Sequence, residues 1–119
     1  MIVVRDVFQL RFGMAREAIA LWQEGIEFIR SVPGVKDVRL LTDFAGNYYT
    51  LVLESSHESV SGLEEEMRAT SQDPRWREWY ARFVPLVESG RRELLNVVGS
   101  TSPPPAIAKD RSRAAVSLS

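Results

Sequence analysis

Residues 2–13, IVVRDVFQLRFG, and residues 14–31, MAREAIALWQEGIEFIRS, decide how this chain folds. In the first stretch Ile2, Val4, Phe8, Leu10 and Phe12 recur at every second position, while Val3, Arg5, Val7, Gln9 and Arg11 take the alternate ones. A period of two predicts a strand with one apolar and one mixed face, from Ile2 to about Phe12. Past Gly13 the period changes: Ala15, Ala18, Ile19, Trp22, Ile26 and Ile29 fall at helical spacing, with Arg16, Glu17, Gln23, Glu27 and Arg30 opposite. This predicts an amphipathic helix from Met14 to about Ser31. Val32-Pro33-Gly34 ends it, because proline cannot continue the ladder of backbone bonds.

Working outward, two further strands, Val35 to about Phe44 and Asn47 to about Glu54, flank Ala45-Gly46 and predict a β-hairpin. Ser55-Ser56-His57-Glu58 fits a capping box at the start of a short helix reaching about Thr70. Asp73-Pro74 is a second helix start, with a carboxylate cap and a proline whose missing N–H costs nothing there. Trp76, Trp79, Tyr80, Phe83 and Val87 follow as an aromatic stripe, interrupted by Pro85, which predicts a kink or an early end between Ala81 and Val84. Arg91 to Val98 reads as the last strand, set off by Gly90.

The order βαββαβ has one dominant arrangement. It is a ferredoxin-like α+β domain, a four-stranded antiparallel sheet with both crossovers on one face, because β-α-β connections are right-handed. The opposite face would carry Val3, Val7, Leu41, Val52 and Val97. A set so apolar predicts cover by a second copy of the chain, hence a homodimer.

Composition sets the limits. The chain has 119 residues, 45% hydrophobic and 26% charged, no cysteine and a formal net charge of −1. These values fit one globular domain of ordinary class. The absence of cysteine excludes a disulfide framework, a thiolate zinc site and a cysteine nucleophile. Near-neutral charge gives no footprint for nucleic acid. No apolar run approaches the roughly 20 residues of a membrane span, and the N-terminus lacks a signal-peptide layout, so no membrane association and a cytoplasmic location are expected. The domain is expected to span residues 1–98, with net charge −3. Residues 99–119, net +2 with a triple proline at Pro103 to Pro105, read as a flexible basic tail or semi-rigid spacer dispensable for the fold.

The layout resembles the dimeric α+β barrel superfamily, which pairs two ferredoxin-like sheets into an eight-stranded barrel. The superfamily includes antibiotic biosynthesis monooxygenases, haem-degrading monooxygenases, muconolactone isomerases and NIPSNAP proteins. The likeness is carried by Val7-Phe8-Gln9-Leu10-Arg11-Phe12-Gly13, by Pro33-Gly34-Val35, by Asp43-Phe44-Ala45-Gly46-Asn47-Tyr48-Tyr49 and by Asp73-Pro74-Arg75-Trp76-Arg77-Glu78-Trp79-Tyr80. It looks most like the NIPSNAP branch. The resemblance implies a fold and a pocket more than an activity. The haem-degrading triad of asparagine, tryptophan and histidine is not present as such: the first strand offers Gln9, and although Trp76 stands where the tryptophan would be, its partners are missing.

Candidate chemistry rests on few residues. His57, the sole histidine, is the one side chain whose ordinary pKa suits proton exchange near neutrality, and it reads either as a surface cap beside Glu54 and Glu58 or as a pocket lining. A lone histidine cannot complete a usual transition-metal site, and Glu64-Glu65-Glu66 spreads its carboxylates around a helix axis, so no metal is expected. Asp6 interrupts the apolar face of the first strand; it reaches solvent at a sheet edge or anchors a cavity, with Tyr80, Trp76 or an arginine as partner. Trp22, Tyr49, Trp76, Trp79, Tyr80 and Phe83 are either core or the lining of a helix-to-sheet pocket for a small apolar or aromatic molecule. Arginines such as Arg5, Arg39 and Arg92 would pair with Asp37, Asp43, Glu54 or Glu93 across a subunit seam. No Ser/His/Asp arrangement, phosphate-binding glycine loop or dinucleotide fingerprint is legible, and no cofactor is expected. Three functions stay open: a small-molecule binder, a cofactor-independent oxygenase or isomerase using His57, Asp6 or Tyr80 to move protons, and an adaptor whose proline tail binds a partner.

Overall fold

A computed structural model describes residues 1–101; residues 102–119, which include Pro103 to Pro105 and most of the expected tail, lie outside the described residues. Four strands, β1 (Ile2–Leu10), β2 (Lys36–Thr42), β3 (Thr50–His57) and β4 (Val87–Asn96), alternate with helices α1 (Ala15–Arg30), α2 (Val60–Gln72) and α3 (Pro74–Phe83). A single 3-10 turn, Val84–Leu86, carries Pro85 and joins α3 to β4. The sheet order is β2-β3-β1-β4 with every pair antiparallel, the ferredoxin-like arrangement the sequence predicts.

Alternation along β1 and β3 places Leu10, Leu51 and Leu53 in one core cluster with Ala18 and Trp22 of α1 and Trp79 and Phe83 of α3. The Trp22 ring lies 4.4 Å from Trp79 and 5.3 Å from Phe83, both edge-on. Burial of each such ring is worth about 1.5–3 kcal/mol, which makes this cluster the main source of tertiary stability. The Trp79 indole N–H donates to the Leu21 carbonyl at 2.8 Å and fastens α3 to α1. The helices meet this closely because residue 25 has no side chain: a Cβ there would stand 2.4 Å from Trp79 Cζ2 and 2.9 Å from Trp22 Cε3.

Three local expectations are corrected. β3 does not stop at Glu54 but runs through Ser55, Ser56 and His57, opposite Val4, Val3 and Ile2 of β1, so the capping box does not form. Ladder pairing in an interior strand satisfies the backbone that a local cap would otherwise serve. The helix begins later, at Val60, where Ser59 Oγ accepts from the Gly62 N–H at 3.1 Å. β4 begins at Val87 rather than Arg91, and Gly90 is an interior position facing Phe8. The link between β2 and β3 is longer than Ala45-Gly46: it spans residues 43–49, with Tyr49 in the left-handed region at φ 61 and Asp43 Oδ1 accepting from the Thr50 N–H at 2.9 Å.

On the sheet face away from the core, Val7 and Val52 are only 8% exposed within a single chain. Beside them runs a charge ladder across all four strands. Glu54 pairs with both Arg39 and Arg5, Arg5 reaches Glu93 at 3.7 Å, and Arg91 pairs with Glu93 at 3.1 Å. The arginine pairs expected across a subunit seam are thus made inside one chain, because antiparallel register sets Arg39, Glu54, Arg5 and Glu93 side by side. Exposed pairs of this kind contribute about 0–1 kcal/mol each. The exposed apolar side chains of this face are Leu95 and Val97. Among the described residues no helix is long and apolar enough to cross a membrane.

Candidate functional site

The other sheet face and the three helices do not pack flush along their whole length. They enclose a cleft of about 730 Å³, bordered by Val4 and Phe8 of β1, Leu53 of β3, Trp22 of α1, Leu63 of α2 and Trp76, Tyr80 and Phe83 of α3. Spacings of four and three residues put Trp76, Tyr80 and Phe83 on one face of α3. The period of two on β3 brings Leu53, Ser55 and His57 to the same wall. That volume lies within the range of small-molecule sites, which combine an apolar lining with a few placed polar groups.

Two hydrogen-bonded sets of polar groups stand in the wall, which also carries Thr70, Ser71, Ser89 and Arg91. At one, His57 bridges Ser55 and Glu66: its Nε2 is 2.8 Å from Ser55 Oγ, and its Nδ1 bonds the Glu66 carboxylate. His57 is 4% exposed and sits at the end of a strand, not in a helix turn, so the surface-cap reading is corrected: the neighbour that holds it is Glu66 of α2, not Glu54 or Glu58. Both ring nitrogens of the buried histidine thus have a hydrogen-bond partner, one on β3 and one on α2.

The second set is Asp6 and Arg92. Arg92 Nε donates to Asp6 Oδ1 at 2.6 Å and Nη2 to Oδ2 at 3.4 Å, while Nη1 reaches Met67 Sδ at 3.3 Å. β1 is an interior strand, so Asp6 does not reach solvent at a sheet edge; it faces the cleft with an arginine partner. The forked pair matches the charge of a partly buried carboxylate.

Of the residues singled out in the sequence, Trp22, Trp76, Tyr80, Phe83, His57 and Asp6 border the cleft. Trp79 and Tyr49 stand apart from it. Trp79 lies behind the wall, stacked on Trp76 at 4.8 Å and fixed to Leu21, and Tyr49 packs against Phe12 at 4.7 Å beyond the end of β1. Sequence reasoning missed Ser55, Glu66 and the assignment of Arg92 to Asp6. The Ser55-Ser56-His57 spacing is the available signal for the first, and its local chemistry equally fits a cap. Among the described residues the buried Trp22 Nε1–H, in the wall, has no hydrogen-bond partner. Among the described residues no group of three metal-binding side chains comes together.

The fold has solved counterparts. The chain has the ferredoxin-like α+β fold seen in solved NIPSNAP-domain and antibiotic biosynthesis monooxygenase-like proteins, the fold that the resemblance of its opening strand, hairpin and Asp73-Pro74 helix implies. Three of the solved structures it resembles illustrate the likeness. An uncharacterized NIPSNAP-like domain protein from Burkholderia xenovorans is 25% identical, with a TM-score of 0.77 over 87% of this chain and 89% of that one. An uncharacterized NIPSNAP domain protein from the same organism is 21% identical, with a TM-score of 0.76 over 87% of this chain and 100% of that one. A cofactor-independent oxygenase from Streptomyces nogalater is 12% identical, with a TM-score of 0.69 over 86% and 97%. No family model and no curated protein matches the chain.

Proposed function

We propose that the chain binds a small, flat, apolar or aromatic molecule in the cleft between helices and sheet. The observation that carries this reading is the composition of the wall: five rings, Phe8, Trp22, Trp76, Tyr80 and Phe83, around about 730 Å³, with the paired His57 and Asp6 sets among its polar groups. A wall of this kind favours a ligand with two aromatic faces to cover and few polar atoms to desolvate. A second reading, that the bound molecule is also transformed by a cofactor-independent oxygenase or isomerase reaction, is favoured by one observation: the histidine is hydrogen-bonded on both nitrogens and faces the cleft. The shared fold with a cofactor-independent oxygenase from Streptomyces nogalater agrees with it. We further propose a homodimer through the face that carries Leu95 and Val97.

Binding is tested with 1-tetralone, a bicyclic aromatic ketone that quenches indole fluorescence on contact. Saturable quenching in the unmodified protein, weakened in Tyr80→Ala, is the expected result. Tyr80 is 43% exposed, so its truncation leaves the fold intact while removing part of the wall. Quenching that rises linearly with ketone and never saturates would overturn the reading.

A further inference from the structure

We propose that Ser55, His57 and Glu66 are a proton relay that ends in the cleft, and that its substrates are apolar ketones carrying a C–H bond next to the carbonyl. This rests on the binding reading above and specifies its chemistry. The three side chains come from two elements, β3 and α2, and are joined in one line: Ser55 Oγ to His57 Nε2 at 2.8 Å, and His57 Nδ1 to the Glu66 carboxylate. Ser55 and His57 are 7% and 4% exposed, and all three border the cleft. His57 Nε2 is engaged by the Ser55 hydroxyl, and the relay therefore assigns Ser55 Oγ as the atom that meets a bound molecule.

The step balances without an added oxidant or reductant. The C–H bond next to the carbonyl breaks, its electron pair moves into the enolate, and its proton passes to Ser55 Oγ. The hydroxyl's own proton passes to His57 Nε2, and the resulting imidazolium is held by the Glu66 carboxylate. Running the relay backwards returns a proton to the same carbon, or to a carbon further along a conjugated system, which is an isomerisation. Ser55 lies inside an interior strand whose backbone amides serve the sheet. A role as acyl-transfer nucleophile would instead need hydrogen-bond donors, from backbone or side chains, aimed at an oxyanion. Glu66 is a positioning residue: it acts on the substrate only through His57, by fixing the ring and its tautomer.

The experiment follows exchange of the C2 protons of 1-tetralone with D₂O by NMR, alongside quench titrations of the same proteins. The unmodified protein is expected to accelerate exchange at least about 100-fold over buffer, in the range of a placed general base. His57→Gln, Glu66→Gln and Ser55→Ala are expected to lose at least tenfold in the maximal exchange rate without moving the half-saturating ketone concentration. Ser55→Thr, which keeps the hydroxyl, is expected to retain exchange. Saturable quenching with no accelerated exchange, or exchange unaltered in His57→Gln, overturns the relay and leaves the binding reading standing. Absence of saturable quenching removes the binding reading and the relay with it. Acetylation of Ser55 by p-nitrophenyl acetate, detected by mass spectrometry, would assign a nucleophile in place of a relay and overturn it too.

Discussion

Adding one methyl group at position 25 sets two opposed effects against each other. Gly25 is buried in the middle of α1, and replacing an interior helical glycine by alanine ordinarily stabilises by about 1 kcal/mol through backbone entropy and helix propensity. Here the new Cβ would lie 2.4 Å from Trp79 Cζ2, 2.8 Å from Trp79 Cε2 and 2.9 Å from Trp22 Cε3. Ordinary carbon contacts begin near 3.5 Å, so one ring must retreat by about 1 Å. Neither is free to do so: Trp22 and Trp79 are both buried, Trp79 is tied to Leu21, and each contacts Phe83. Overpacking of this kind costs about 1–3 kcal/mol, and a full ångström against two fixed indoles belongs at the upper end. Gly25→Ala is therefore expected to destabilise by about 2 kcal/mol net, which for a domain of this size lowers Tm by about 8–16 °C. Thermal unfolding followed by circular dichroism measures it. An unchanged or raised Tm would mean that helix propensity wins, and would refute the close packing of α1 on α3.

Trp79→Ala removes a ring enclosed on all sides and is expected to cost about 3–5 kcal/mol in urea unfolding, whereas Trp76→Ala, on the cleft wall, should cost less than about 3 kcal/mol; the reverse order would contradict the placement of the two rings. Leu95→Asp, on the exposed apolar part of the open face, is expected to convert a dimer to a monomer in sedimentation velocity with the circular dichroism spectrum unchanged, and a dimer that survives would place the interface elsewhere. Ser59→Ala removes the cap of α2 and is expected to cost about 1 kcal/mol in urea unfolding; no loss would return the helix start to Ser55. Asp73 caps α3 and its hydrogen bonds from the Arg75 side chain and N–H hold its carboxyl below the ordinary value. Because the folded-state pKa is the lower one, this stabilisation is complete above the ordinary carboxylate range and disappears as pH falls through the depressed value, so Asp73→Asn should flatten that acid limb of a Tm-against-pH curve; an unaltered limb would show the pair to be idle.

The fold was legible because periods do not depend on distant partners. The change from two to 3.6 at Gly13 and the Asp73-Pro74 start each follow from residues within a few positions of one another. The edges of β3 and β4 were not legible, since Ser55 to His57 carry local cap chemistry and become strand only because β1 lies beside them. The same pairing decides the site. The local cap chemistry of Ser55-Ser56-His57 leaves the histidine open to both a surface and a pocket reading and hides its alignment with Ser55. Glu66 could not be told from Glu64 and Glu65 until α2 was set against β3. The aromatic stripe announced a wall but not which rings stand in it: Trp76 and Trp79 are three residues apart, and only the packing of α3 on α1 sends one to the cleft and the other behind it.

Those two rings, with Trp22, also supply the most direct test of the cleft itself. The chain has three tryptophans, and each gives one indole N–H signal in a ¹H–¹⁵N correlation spectrum. Titration with 1-tetralone is expected to move the Trp76 and Trp22 signals most, since both border the cleft, and to move Trp79 least, since its N–H is bonded to Leu21. Shifts confined to residues of the open sheet face, such as Val3, Leu95 and Val97, or no saturable shift of either Trp22 or Trp76, would contradict the account.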